Sequence, residues 1–100
     1  MYKLKLIPPA LRDIRESLKW YDDQKKGLGR KFYIHVKARP NYIQLHPHHY
    51  QISYKNIRSA GVNRFPFQVH YILQENNKSI IILAVSHTSR SQSSWRYRSE

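Results

Sequence analysis

The spacing of the apolar residues changes at His46-Pro47-His48-His49, and this change limits the folds open to the chain more than any other feature. Upstream, Leu11, Ile14, Leu18 and Tyr21 recur at the spacing of one helical stripe, with Arg12, Asp13, Arg15, Glu16 and Lys19 mostly outside it. Pro8 and Pro9 suit the first helical turn, where a missing N–H costs nothing, so a helix is expected from about Pro9 to Gln24. Lys25-Lys26-Gly27-Leu28-Gly29 reads as a short connection. In the next segment Leu28, Phe32, Val36 and Ile43 share a face, with Tyr33 and Leu45 close to it, so a second helix is expected to pack on the first as a hairpin. Pro40 interrupts that segment, deletes the bond to the Val36 carbonyl at a cost of ~3 kcal/mol, and predicts a kink or break near Val36 to Arg39.

Downstream of the histidines the period falls to two. Tyr50 to Arg58 is expected to be one strand, with Ser59-Ala60-Gly61 as a turn. Val62 to Leu73 is expected to be one strand bent at Pro66. After a polar loop at Gln74 to Lys78, Ser79 to Ser86 is apolar enough to be buried on both faces of a sheet. A further strand, Tyr2 to Ile7, precedes the helices. Strand, two helices, then three or four strands define an α+β class: a helical hairpin on one face of a small, largely antiparallel twisted sheet.

The chain has 100 residues, enough for one core, and a single domain spanning 1–100 is expected. The absence of cysteine excludes a disulfide framework, a zinc ribbon and thiol catalysis. Ile80 to Val85, the longest apolar run, is far shorter than the roughly 18 residues of a membrane span, and Met-Tyr-Lys-Leu-Lys-Leu does not read as a signal peptide. A cytoplasmic protein without membrane association is expected.

Eighteen Lys and Arg against six Asp and Glu give a net charge of +12. The excess is uneven: Asp13, Glu16, Asp22 and Asp23 lie near the start, whereas Gly27 to Gln74 holds seven cations and no carboxylate. Such a surface attracts phosphate backbones or an acidic polypeptide.

Few motifs carry chemistry. Gly27 and Gly29 follow no strand and read as helix punctuation rather than a phosphate loop. His46, His48 and His49 are split by Pro47 and lack cysteine or nearby acids, so they read as a helix-terminal loop; no metal site and no cofactor are expected. His35 reads as helical surface. His87 ends the most apolar strand and could act as general acid or base, with Arg58, Arg64 and Arg90 neutralising a phosphorane in metal-free RNA cleavage; the alternative, which the sequence favours, is that it hydrogen-bonds a neighbouring strand or loop and the arginines only carry surface charge. Phe32, Phe65, Phe67 and Tyr71 read as core. Trp20-Tyr21 reads as packing for the hairpin. Tyr54, Trp95 and Tyr97 stand among basic and polar residues and could stack on bases or fill a partner's groove.

In order along the chain, Pro9-Ala10, Asp13-Ile14, Trp20-Tyr21, Gly27-Leu28-Gly29, Phe32, Arg64-Phe65-Pro66-Phe67 with Tyr71, and Ile82-Leu83-Ala84-Val85 with His87, Arg90 and Trp95 form a set. This set resembles the RelE/ParE superfamily of toxins from bacterial type II toxin–antitoxin systems, especially its ParE-like, plasmid-stabilisation branch. The resemblance implies a growth-inhibiting toxin that forms a hetero-oligomer with an acidic, partly disordered antitoxin. For the ParE branch it implies DNA gyrase as the target and no agreed catalytic residues. The other branch cleaves mRNA on the ribosome, and here the alternative would use His87 and the arginines. Tyr54, Lys55, Arg58, Arg64, Arg90, Trp95 and Arg96 are the expected contacts for antitoxin or target. In the ribosome-dependent nucleases an Arg usually precedes the aliphatic-aliphatic-Tyr run; here Gln68 precedes Val69-His70-Tyr71, and a neutral amide cannot replace that cation. The departure favours the non-nuclease branch. A basic nucleic-acid-binding module is the third reading, and it leaves the ordered motifs unexplained.

Overall fold

A computed structural model of the chain describes residues 1–90 and 93–99. Among these, β1 (Lys3–Leu6) leads into α1 (Pro8–Gln24) and α2 (Leu28–Leu45). There follow β2 (Ile52–Tyr54), β3 (Ile57–Gly61), β4 (Phe67–Gln74) and β5 (Ser79–His87), and a short helix α3 (Ser93–Arg96) near the end. The sheet order is β1-β5-β4-β3-β2; β1 runs parallel to β5 and the other neighbours are antiparallel.

The helical hairpin forms as the sequence implies. Pro8 and Pro9 open α1, and Gly27, at φ 89, supplies the left-handed residue that starts α2. The helices cross where Gly29 meets α1: a Cβ there would lie 2.5 Å from the Leu18 carbonyl oxygen. The Gly29 N–H donates to Asp22 Oδ1 at 2.7 Å, so one carboxylate satisfies a donor left free by the first turn of α2.

Pro40 does not break α2. It lies with Phe32, Val36 and Ile43 on the stripe buried against the sheet, and burial of that stripe offsets the lost hydrogen bond. Tyr33 and Leu45 fall off the stripe and are exposed, against expectation, as is Leu11 on α1.

Two strand boundaries also differ. The reversal expected at Ser59-Ala60-Gly61 occurs at Lys55-Asn56, with Lys55 at φ 51, so Tyr50 to Arg58 is not one strand and Ser59 to Gly61 belongs to β3. Val62 to Pro66 is a tight connection and not the start of β4. The Val62 N–H donates to the Phe67 carbonyl, and Arg64 takes φ 67 at its tip. Pro66, lacking an N–H, is thereby kept out of the ladder.

A β-bulge in β5 has the largest consequence for function. His70 pairs with Ala84 while Tyr71 pairs with Ile82, which leaves Leu83 as the extra residue. Ile80 and Ile82 face the helices, Leu83 and Ala84 both face away, and Val85 faces the helices again. His87 is therefore turned to the helix side, where its ring meets Phe67 at 5.3 Å. The helix-side core joins Phe32, Phe67, Tyr21 and Phe65 in an aromatic cluster. The opposite sheet face is covered by Trp95 over Ile57, Leu83 and Ala84.

Candidate functional site: a groove between the first helix and the fifth strand

β1 ends at Leu6, beside Ile82, so among the described residues the outer edge of β5 beyond that point has no strand partner. Asp13 and Arg98 complete it: Asp13 Oδ2 accepts the Val85 N–H at 3.0 Å and Arg98 Nη1 donates to the Leu83 carbonyl at 3.0 Å. Arg98 also grips Asp13 through both terminal nitrogens, at 2.7 and 3.3 Å, with both side chains largely buried. The bond from Asp13 holds the guanidinium pKa above its usual value despite burial. This pair ties the C-terminal segment to α1, and Asp13 is among the residues lining a groove of about 620 Å³.

One wall of the groove is α1, with Glu16, Ser17, Trp20 and Tyr21; the other is the end of β5 and the residues after it, with Val85, His87, Ser89 and Arg90. Trp20 is 57% exposed at the rim, edge-on to Tyr21 at 5.1 Å; it does not pack the hairpin as expected. Nδ1 of His87 accepts the Ser89 N–H at 3.0 Å and lies 2.7 Å from the Ser89 hydroxyl. Because a backbone N–H can only donate, Nδ1 holds the lone pair, and the neutral ring carries its proton on Nε2. His87 is thus configured as a hydrogen-bond donor, and the lone pair a general base needs is occupied.

The other expected site residues are dispersed. Arg90 lines the groove with His87. Arg64 is exposed on the β3–β4 connection. Arg58, in β3, donates to the Tyr50 carbonyl instead of joining His87. Arg96 stacks on Tyr54, with its guanidinium carbon 3.7 Å from the ring centroid, and Lys55 Nζ lies 5.5 Å from the same ring. Trp95 requires correction: it is 2% exposed and stacks on His70 at 3.7 Å, so it is core and not a stacking platform for a ligand. The predicted set thus occupies the groove, the β3–β4 tip and the β2 edge, with Arg58 turned inward. The loop histidines also diverge: His48 approaches Glu75, His49 meets the Tyr42 hydroxyl, and His46 packs on the Tyr42 ring. Among the described residues no three His, Asp or Glu side chains gather as a metal site would require.

The sequence reading did not single out His70. It is buried under Trp95, and its two ring nitrogens meet Ser59 Oγ at 2.7 Å and Ser86 Oγ at 2.8 Å. Burial, with a contribution from the Arg98 charge, lowers its pKa to about 4, so the ring is neutral. Tyr71, on the other face, donates to the Pro47 carbonyl at 2.9 Å, and burial raises its pKa to about 12. Alternation along β4 placed both residues on a buried strand, but only the partner strands reveal the polar contacts.

No protein-family model matches the chain, and no curated protein matches it in sequence. Solved structures do. A chain of the chromosomal ParDE toxin–antitoxin system from P. aeruginosa superposes with a TM-score of 0.76 at 18% identity, over 87% of this chain and 96% of that one. The E. coli RelBE toxin–antitoxin complex gives 0.68 at 13%, over 90% and 100%. The isolated E. coli RelE toxin gives 0.66 at 13%, over 94% and 92%. The architecture is therefore an α+β fold shared with toxin–antitoxin structures. It is the fold seen in the isolated E. coli RelE toxin.

Proposed function

We propose that the chain is the toxin of a type II toxin–antitoxin pair, acting in the cytoplasm and neutralised by an acidic antitoxin. In this reading it inhibits growth by binding its target, with DNA gyrase the target implied by the ParE resemblance, and not by cutting RNA. The carrying observation is that, within a RelE/ParE fold, only Arg90 of the three arginines named for metal-free cleavage shares a groove with His87. Arg58 is committed to Tyr50 and Arg64 stands on a separate loop, while the lone pair of His87 is held by Ser89. Cleavage needs a base, an acid and cations gathered at one phosphate, and Gln68 supplies no cation on β4. The carboxylate-free stretch from Gly27 to Gln74 supports the antitoxin assignment, since its charge is left for a partner to neutralise.

Tightly controlled expression, followed by assays of DNA breakage with purified gyrase and of mRNA cleavage on translating ribosomes, tests the reading. Growth arrest with gyrase-dependent breaks that persist in His87→Ala is the expected result. Cleaved mRNA that disappears in His87→Ala would instead establish the nuclease alternative.

A further inference from the structure

The groove holds a carboxylate that the fold does not use. Asp13 is paired with Arg98, Asp22 accepts the Gly29 N–H, Asp23 meets Lys19 at 2.9 Å, and Glu75 bonds Tyr2 and approaches His48. Glu16 alone among the described acids has no hydrogen bond or ion pair with any described residue, on a chain of net charge +12. It lies one helical turn before Trp20, on the same face of α1, and both line the groove, Trp20 as the exposed one of the two indoles. Across the groove stand donors: His87 through Nε2–H, as Ser89 dictates, and Arg90.

An aromatic platform with an acceptor wall on one side and a donor wall on the other defines a ligand. It must be flat, with adjacent N–H groups on one edge and acceptors on another. A partner's arginine would suit Glu16 and Trp20 but would face Arg90, and an acidic peptide would face Glu16. Among the nucleobases, only guanine presents two adjacent donors, N1–H and the N2 amine, with the O6 and N7 acceptors on the adjoining edge. Adenine, cytosine and uracil each place an acceptor where the carboxylate would sit. The cavity volume is within the range of small-ligand sites, and Tyr21, Phe67 and Val85 contribute apolar lining.

We propose that this groove binds a guanine base, stacked on Trp20, with its N1–H and N2 amine on Glu16 and its O6 and N7 toward His87 and Arg90. The assignment is independent of the toxin reading. The base can arrive as a free nucleotide or within a single strand, and the recognition chemistry is the same.

Since Trp95 is buried, quenching of Trp20 fluorescence reports on the groove directly. The full chain is titrated with GMP, AMP, CMP and UMP, and with short oligonucleotides that either contain one guanine or lack it, at raised salt to suppress non-specific phosphate binding. Saturable quenching by GMP, at least about tenfold tighter than by AMP, is expected from a bidentate base contact. Glu16→Gln, an exposed substitution that leaves the core intact, abolishes that preference, and Trp20→Ala abolishes binding measured by calorimetry. Equal affinity for GMP and the guanine oligonucleotide identifies a free nucleotide as the ligand; a further tenfold gain for the guanine oligonucleotide over its guanine-free control, by about the worth of one stacked base, identifies a strand. Equal quenching by all four nucleotides, no saturation in the low millimolar range, or an undiminished guanine preference in Glu16→Gln overturns the proposal.

Discussion

Lowering the pH from about 8 to 5 should destabilise this protein through one residue, His70. Its folded pKa is about 4 against an ordinary value of 6.5, because the ring is buried between Ser59, Ser86 and Trp95 with the Arg98 charge nearby. The unfolded chain takes up a proton as pH falls through 6.5, whereas the folded chain excludes it until about 4. The native state therefore has its full stability above the unfolded value and loses it progressively through that window. At saturation the loss is about 3 kcal/mol, and at pH 5 about 2 kcal/mol, a large share of the 5–15 kcal/mol that holds a typical domain folded. Urea unfolding followed by tryptophan fluorescence measures it. His70→Gln keeps a polar group between the serines and removes the titration, so its stability should fall by about 2 kcal/mol less than the wild type over the same interval. The other five histidines are present in both proteins and cancel in the comparison. Parallel pH profiles for the two proteins would refute the reasoning.

Trp95→Ala should cost about 3–5 kcal/mol in urea unfolding, the range for deleting a large buried aromatic, and should raise the pKa of His70 by admitting water. Asp13→Ala and Arg98→Ala should each cost about 3–5 kcal/mol, because each leaves a buried charge or edge group unpaired; their double-mutant coupling should exceed about 1 kcal/mol, and additive losses would show that the pair does not act as a unit. Gly29→Ala should destabilise by about 1–3 kcal/mol despite the better helix propensity of Ala, since its Cβ would meet backbone on α1; a gain in the thermal midpoint would show that the helices can separate at no cost.

The layers were legible in the sequence because the apolar period reports burial directly, and the helical hairpin and the apolar strand are where that period places them. The errors fall at reversals. Lys55 and Arg64 adopt positive φ without being glycine, so no turn residue advertised them, while the small residues Ser59-Ala60-Gly61 pair with β4 as an ordinary strand. Pro40 misled because local propensity was set against a burial that only the sheet supplies. The candidate site was half legible: His87 and Arg90 do share a groove, but the face His87 occupies depends on a one-residue bulge at Leu83, which alternation cannot reveal inside an all-apolar run. Trp20 carried a usable signal, since it lies off the stripe of Ile14, Leu18 and Tyr21; an indole there is exposed unless a second layer covers α1. Trp95 carried none, because its polar neighbours in sequence are not its neighbours in space.

On the proposed readings the two ligands are separated by charge, which leads to one more measurement. Four of the six acids are on α1, and the only described one without a partner lines the groove; the cations of Gly27 to Gln74 are carried by α2, the β2–β3 turn, β3 and the loop before β4. Over a screening length of about 8 Å, an acidic antitoxin segment is repelled by Glu16 and drawn to the far side of the hairpin and the β2 edge. A guanine base, nearly neutral and stacked on Trp20, meets no such field. Both should therefore occupy the chain at once. Adding the antitoxin to the chain pre-loaded with a fluorescent guanine nucleotide should leave the nucleotide bound, while raised salt should weaken the antitoxin first. Stoichiometric release of the nucleotide by antitoxin would mean that the partner crosses α1, and that charge does not partition the surface.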